Sequence, residues 1–152
     1  MRMRIPAESS EYYLPKNTYL ATYYYAHQYP DWMAELRKAP DSGKGIDYAR
    51  EKVQTSTQYD ATAELAMRRH ELKQKTQLIE DVTEEVAPGF SHWLLKGVTE
   101  ETTFERMASA AGPRFPTWLT PWAFYLARRR FYYILAGRLG YSLQSTQCAR
   151  DT

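Results

Sequence analysis

The chain has one cysteine, Cys148, among 152 residues. No internal disulfide can form, so the fold must hold without covalent staples, which a chain of this length can do in a reducing cytosol. Cys148 lies in the polar run "QSTQCARDT", where an exposed thiol is expected rather than a catalytic one. Long apolar runs are missing too: none approaches the ~20 residues of a membrane span. The opening "MRMRIPAESSEYYLP" has no apolar segment of signal-peptide length. These absences lead to the expectation of a soluble, cytoplasmic protein that does not enter a membrane.

Sites of chemistry are equally scarce. There is no glycine-rich phosphate loop, nucleophile elbow or cysteine–histidine pairing, and His27, His70 and His92 are isolated from one another and from carboxylates at ligand spacing. The expectation is no metal, no cofactor and no catalytic residue, and therefore not an enzyme. The acidic run "EDVTEEV", with Glu80, Asp81, Glu84 and Glu85, suits a solvated face or a basic partner. Acid–base catalysis would need one carboxylate buried beside another.

What the chain does have is charge segregation and tyrosine. Residues 1–103 carry 13 Lys or Arg against 16 Asp or Glu, whereas residues 104–152 carry 7 against 2, and all seven of those cations are arginine. Arginine forks onto phosphate oxygens and guanine edges better than lysine does, so an arginine-only basic end fits nucleic acid; acidic sites on a protein partner fit nearly as well. Seven of the thirteen tyrosines crowd into "YYLPKNTYLATYYYAHQYP". Tyr19, Tyr23 and Tyr24 fall at helical spacing and are expected in the core, with Tyr25 and Tyr29 as the exposed pair. Base stacking is the alternative role for such aromatics.

Strand alternation appears nowhere, and the fold class is all-α: a small helical bundle with a C-terminal helix-turn-helix-like unit. A first helix begins after Pro15 and is interrupted at Tyr29-Pro30; a short second one runs from Asp31 to about Lys38. The cluster "APDSGKGID" opens a loop over 39–58 that is expected to be mobile. From about Asp60 to Val86 runs the longest periodic segment, with Leu65, Leu72, Ile79 and Val86 forming one stripe on a core. Pro88-Gly89 ends it, and "FSHWLLKGV" makes a short helix. Thr102 and Glu105 read as a capping box for a helix closed by Gly112, and Thr120-Pro121 starts a last helix reaching Leu139. The domain reading is an extension over 1–16, a helical module over 17–98, a DNA-binding unit over 99–141 and a tail over 142–152.

The last helix contains "LARRRFYYILAGRLG", three arginines in an apolar and aromatic run. On a wheel stepping ~100° per residue, Phe124, Ala127, Phe131, Ile134 and Leu135 gather on the buried side. Trp122, Tyr125, Arg129, Tyr133 and Ala136 fall opposite. Arg129 therefore points outward, with Arg128 and Arg130 on its flanks, so the core loses nothing to them. Two helices in tandem with cations on the second is the layout of a helix-turn-helix. In it Trp122, Tyr125 and Arg129 face bases, while Arg106, Arg114, Arg128, Arg130 and Arg138 face phosphates. A solvated flank on a core helix is the plainer reading of the same run.

Taken together, "YYLPKNTYLATYYYAHQYPDW", "YDATAELAMRRHELKQKTQLIE" and "FYLARRRFYYILAGRLG" resemble small phage and prophage transcriptional regulators of the RinA/ArpU type, over roughly residues 12–141. The resemblance implies a terminal helix-turn-helix similar to sigma-factor region 4, acting on late or packaging genes. It matches Thr103–Gly112 to the first helix of the reader unit and Thr120–Leu139 to the recognition helix. The implied partner is double-stranded DNA, with host RNA polymerase or another host complex beside it. One departure is the connection "GPRFPTWL", longer than a three- or four-residue turn and holding two prolines. The competing expectation is a phage-encoded protein that binds and modulates a host nucleic-acid-processing complex, such as RNA polymerase or a CRISPR effector.

Overall fold

In the computed structural model, which describes residues 5–38, 61–141 and 143, the chain opens into α1 (Lys16–His27) directly after Pro15. Tyr19, Thr22, Tyr23 and Ala26 form its buried stripe, spaced as one helical face requires. Gln28 keeps a helical backbone (φ −80°, ψ −14°), so α2 (Tyr29–Arg37) follows with almost no connector. It starts two residues before the expected Asp31, because Pro30 sits in the first turn, where its missing N–H has no intrahelical partner to lose. The tyrosine expectation needs two corrections. Tyr24 is 58 % exposed, since three consecutive tyrosines cannot all face one stripe, while Tyr25 and Tyr29 are half-buried against α2 and α3. Tyr25 packs edge-on against Trp32 at 5.0 Å, and the Tyr29 hydroxyl donates to Glu80 at 2.5 Å.

The long helix is α3 (Ala61–Val86). Leu72, Ile79 and Val86 are buried as the seven-residue spacing predicts, but Leu65 is 42 % exposed and leaves the stripe. Residues 61–68 are all exposed, so the first two turns project past the core. Trp32 carries α2 into the same core as Leu72 and Ile79 of α3, and at the rim the Arg68 guanidinium forks onto the Glu35 carboxylate at 3.0 and 3.2 Å. Arg69 donates to the Leu36 and Lys38 carbonyls, which satisfies acceptors that the end of α2 leaves open. The expected mobile loop over 39–58 and the tail around Cys148 lie outside the described residues.

Three shorter pieces precede the last helix: α4 (Ser91–Thr99), α5 (Phe104–Ala111) and a 3-10 turn over Gly112–Arg114. The α5 cap is Thr103, one residue after the Thr102 expected from the capping-box pattern. Its hydroxyl accepts from the Arg106 N–H at 3.3 Å, whereas the Thr102 hydroxyl donates to the Glu100 carbonyl. Four threonines are buried, Thr22, Thr76, Thr83 and Thr99, and each returns its hydroxyl to a carbonyl of its own helix. They therefore bury no unpaired polar group.

The last helix, α6 (Pro121–Arg138), packs against α1, α3 and α4 and is the axis of the bundle. Phe124, Ala127, Phe131, Tyr132, Leu135 and Ala136 are buried along it. Ala136 is buried although the helical wheel puts it on the outward side, because a wheel drawn for one neighbour fails for a helix with three. Gly97 lets α4 come close, because a Cβ there would lie 2.5 Å from Cζ of Phe124. The described residues form helices and turns without a strand, and the class is all-α. One core runs through all six helices, from Tyr19 and Trp32 through Leu72, Leu94 and Met107 to Phe131, so helices on both sides of residue 99 share it.

Candidate nucleic-acid interface

The link between α5 and α6 is pinned from inside. Gly112 takes φ 55°, ψ −124°, a conformation open to glycine, and turns the chain out of α5. Phe115 and Leu119 then insert into the core, with Phe115 packed edge-on against Trp93 and Phe104, each at 5.0 Å. Because these two anchors face inward, Arg114 and Trp118 between and beside them face solvent. Trp118 is 62 % exposed and leans on the Phe90 ring at 6.1 Å. The Thr120 hydroxyl accepts from the Ala123 N–H at 3.2 Å and fixes the start of α6, where Trp122 is 75 % exposed.

Beyond this start, the outer face of α6 is exposed at two points about two turns apart, and none of the residues between them is fully exposed. Trp122 and Arg129 are exposed along it, while Arg128 and Arg130 are half-buried on the flanks. Tyr125, between Trp122 and Arg129, is half-buried: its hydroxyl accepts from the Phe104 N–H at 3.4 Å and ties α6 to the first turn of α5. Further along, the face is covered. Tyr12 packs edge-on against Tyr133 at 5.7 Å, and Leu143 lies against Gly137.

The other arginines have different surroundings. Arg106 and Arg114 are exposed. Arg138 donates to the Glu85 carboxylate of α3, an ion pair that neutralises its charge locally. Arg128 lies over the Tyr132 ring at 5.9 Å, which fixes its position on the flank of α6.

Sequence reasoning missed a polar cluster beneath Arg128. The Tyr23 hydroxyl donates to Glu101, and the Tyr23 ring lies 4.0 Å from that of His27. His27 Nδ1 is 2.7 Å from the Tyr23 carbonyl, which can only accept, so Nδ1 carries the proton and donates. Nε2 lies 3.6 Å from the Glu101 carboxylate, beyond hydrogen-bond distance, and has no hydrogen-bond partner among the described residues. Glu101 reaches both groups from a backbone φ of 53°, a region that non-glycine residues rarely adopt. The hydrogen bond from Tyr23, followed by the charge near His27, holds the Glu101 carboxyl below its ordinary range. Burial raises the Tyr23 hydroxyl, reinforced by Glu101, and burial likewise raises that of Tyr132, against the opposing charge of Arg128. The Tyr23/His27 spacing of four was legible as a helical pair. The left-handed Glu101 that joins them was not.

On the opposite charge, an open groove of about 300 Å³ between α3 and α4 is lined by Gln77, Glu80, Asp81, Thr83, Glu84, Ser91, His92 and Leu95. Two of its carboxylates are engaged: Glu80 accepts from Tyr29, and Asp81 accepts from Gln77 at 2.7 Å. Among the described residues no cluster of His, Cys, Asp and Glu is arranged to hold a metal, and no helix is long and apolar enough to cross a membrane. No family model, curated protein or solved structure matches the chain.

Proposed function

We propose that the protein is a DNA-binding transcriptional regulator of the phage type, with the first two turns of α6 entering the major groove. The observation that carries this reading is the contrast along α6. Its core side is locked against three helices, while Trp122 and Arg129 stand clear at the amino-terminal half, the part of a recognition helix that meets base edges. A reader set on a rigid scaffold keeps its geometry when it meets the groove. Arg129 is assigned to a guanine edge, Trp122 and the rim of Tyr125 to neighbouring bases, and Arg106, Arg114, Arg128 and Arg130 to phosphates. Arg138 joins them only by leaving Glu85.

The test is titration of a labelled random-sequence duplex pool at several salt concentrations. Four phosphate contacts give a slope of log affinity against log salt of roughly −3.6, since each releases about 0.9 counterion. A folded protein that binds no duplex at low salt overturns the reading. The second reading, a binder of a host protein complex, is favoured by one observation: Trp118 and Trp122, both more than half exposed, flank the start of α6 in the residue type most enriched at binding hot spots. Under it, pull-down by the same arginine and tryptophan face takes the place of the duplex titration.

A further inference from the structure

An indole on the reading helix raises a problem of chemistry. The major groove of an intact duplex presents the edges of bases, while an indole binds best to their faces, which pairing keeps stacked. Trp122 is nevertheless the most exposed large hydrophobic residue described, at 75 %, and Trp118 is 62 % exposed. Neither exposure is an accident of a loose loop. Phe115 and Leu119 pin the connection in the core, Thr120 caps the helix start, and Trp118 is braced by Phe90 and lies next to Gly89. Along the chain from Arg106 to Arg130 there are five arginines and neither an aspartate nor a glutamate, with Glu101 the acidic group that acts on Arg128. Exposed aromatic faces among cations are the composition of surfaces that bind unpaired nucleobases, with stacking on the ring and the cation on the phosphate.

We propose that Trp122, supported by Trp118, stacks on an unpaired base, so that the preferred ligand is DNA in which a duplex adjoins single-stranded nucleotides rather than a fully paired duplex. The proposal rests on the nucleic-acid reading of the same face and narrows its ligand. Arg129 holds the paired part, the tryptophans hold the first unpaired bases, and Arg114, exposed on the same connection as Trp118, meets a neighbouring phosphate.

The experiment uses the full chain and three probes: a blunt duplex, the same duplex with a forked oligothymidine end, and oligothymidine alone. Affinity is read by anisotropy, and stacking by quenching of tryptophan fluorescence. The forked duplex is expected to bind about 5- to 150-fold more tightly than the blunt one, the range of one stacked base, with tryptophan emission quenched. Trp122→Ala should abolish the difference between forked and blunt duplex together with the quenching, while Trp122→Phe retains most of both. Both sites are exposed, so these variants are expected to fold, and circular dichroism checks that they do. Equal affinity for blunt and forked duplex, with unchanged emission, overturns the stacking proposal and leaves the duplex reading standing. Binding of oligothymidine with quenching but no binding of blunt duplex supports stacking and removes the duplex reading. Binding of none of the three probes overturns both, and assigns the tryptophan face to a protein partner.

Discussion

The Arg138 guanidinium is bonded to the Glu85 carboxylate, joining the last turn of α6 to the last turn of α3. The contact ties down one of the seven arginines that give the carboxyl-terminal third its charge. Both side chains are about half exposed, so the pair adds little to stability. Arg138→Ala should change unfolding free energy by no more than about 1 kcal/mol. It should also leave the salt dependence of DNA binding unaltered, whereas Arg106→Ala or Arg114→Ala each flattens the slope by about 0.9. Equal flattening by Arg138→Ala would show that the ion pair opens on binding.

Gly97 and Phe124 set how closely α4 meets α6. Two effects of Gly97→Ala oppose each other: alanine favours the helix by up to about 1 kcal/mol, but its methyl would lie 2.5 Å from the ring of a fully buried phenylalanine. A core ring cannot yield as a surface side chain does, so overpacking wins, and a loss of about 1–3 kcal/mol is expected in chemical denaturation. An unchanged or higher midpoint would mean that the two helices separate freely.

The tyrosine helix makes a paired prediction. Tyr23 is 4 % exposed and Tyr24 is 58 % exposed, although they are adjacent in the chain. Tyr23→Ala should cost about 3–5 kcal/mol, as large aromatic truncations in a core do, while Tyr24→Ala stays within about 0.5 kcal/mol. Similar costs at the two positions would contradict the placement of α1 on α6.

Acid stability follows from Glu101. Its carboxyl is held below the ordinary value of 4.5 by the hydrogen bond from Tyr23 and then by His27. A depressed folded value means that the contribution is present above 4.5 and is lost as pH falls through the lowered value. Thermal melts from pH 6 downward should therefore show a steeper acid decline for the wild type than for Glu101→Gln. Glu35 and Glu71, also held low by Arg68 and Lys75, keep part of the decline in the variant. Identical acid limbs in the two proteins would remove Glu101 from the account.

Much of the fold could be read from the sequence where one local signal decides. Pro15, Pro88-Gly89, Gly112 and Thr120-Pro121 mark helix ends near where they fall, and Arg129 points outward as the helical period requires. What could not be read depends on neighbours. Leu65 fits the heptad pattern but has no partner over it, Tyr25 and Tyr29 are covered by α2 and α3, and Ala136 is buried because α6 has three neighbours. The Glu101 link to Tyr23 and His27 joins residues more than seventy positions apart through an unusual backbone angle. Periodicity carries no information about such a contact. For the candidate interface, composition and spacing located the arginines, but only the structure separates exposed Arg129 from ion-paired Arg138 and from Arg128 held over Tyr132.

Arg129 is the exposed cation on the first two turns of α6, and reading of DNA by this helix rests on it. The direct measurement is selection of preferred sequences from a random duplex pool, followed by titration of the selected and a scrambled duplex with wild type, Arg129→Ala and Arg130→Ala. Arg129→Ala is expected to lose about 1–3 kcal/mol on the selected duplex and much of its preference over the scrambled one, while Arg130→Ala weakens both alike. If Arg129→Ala binds the selected duplex as tightly as the wild type with its preference intact, α6 does not read the bases and the claim is contradicted.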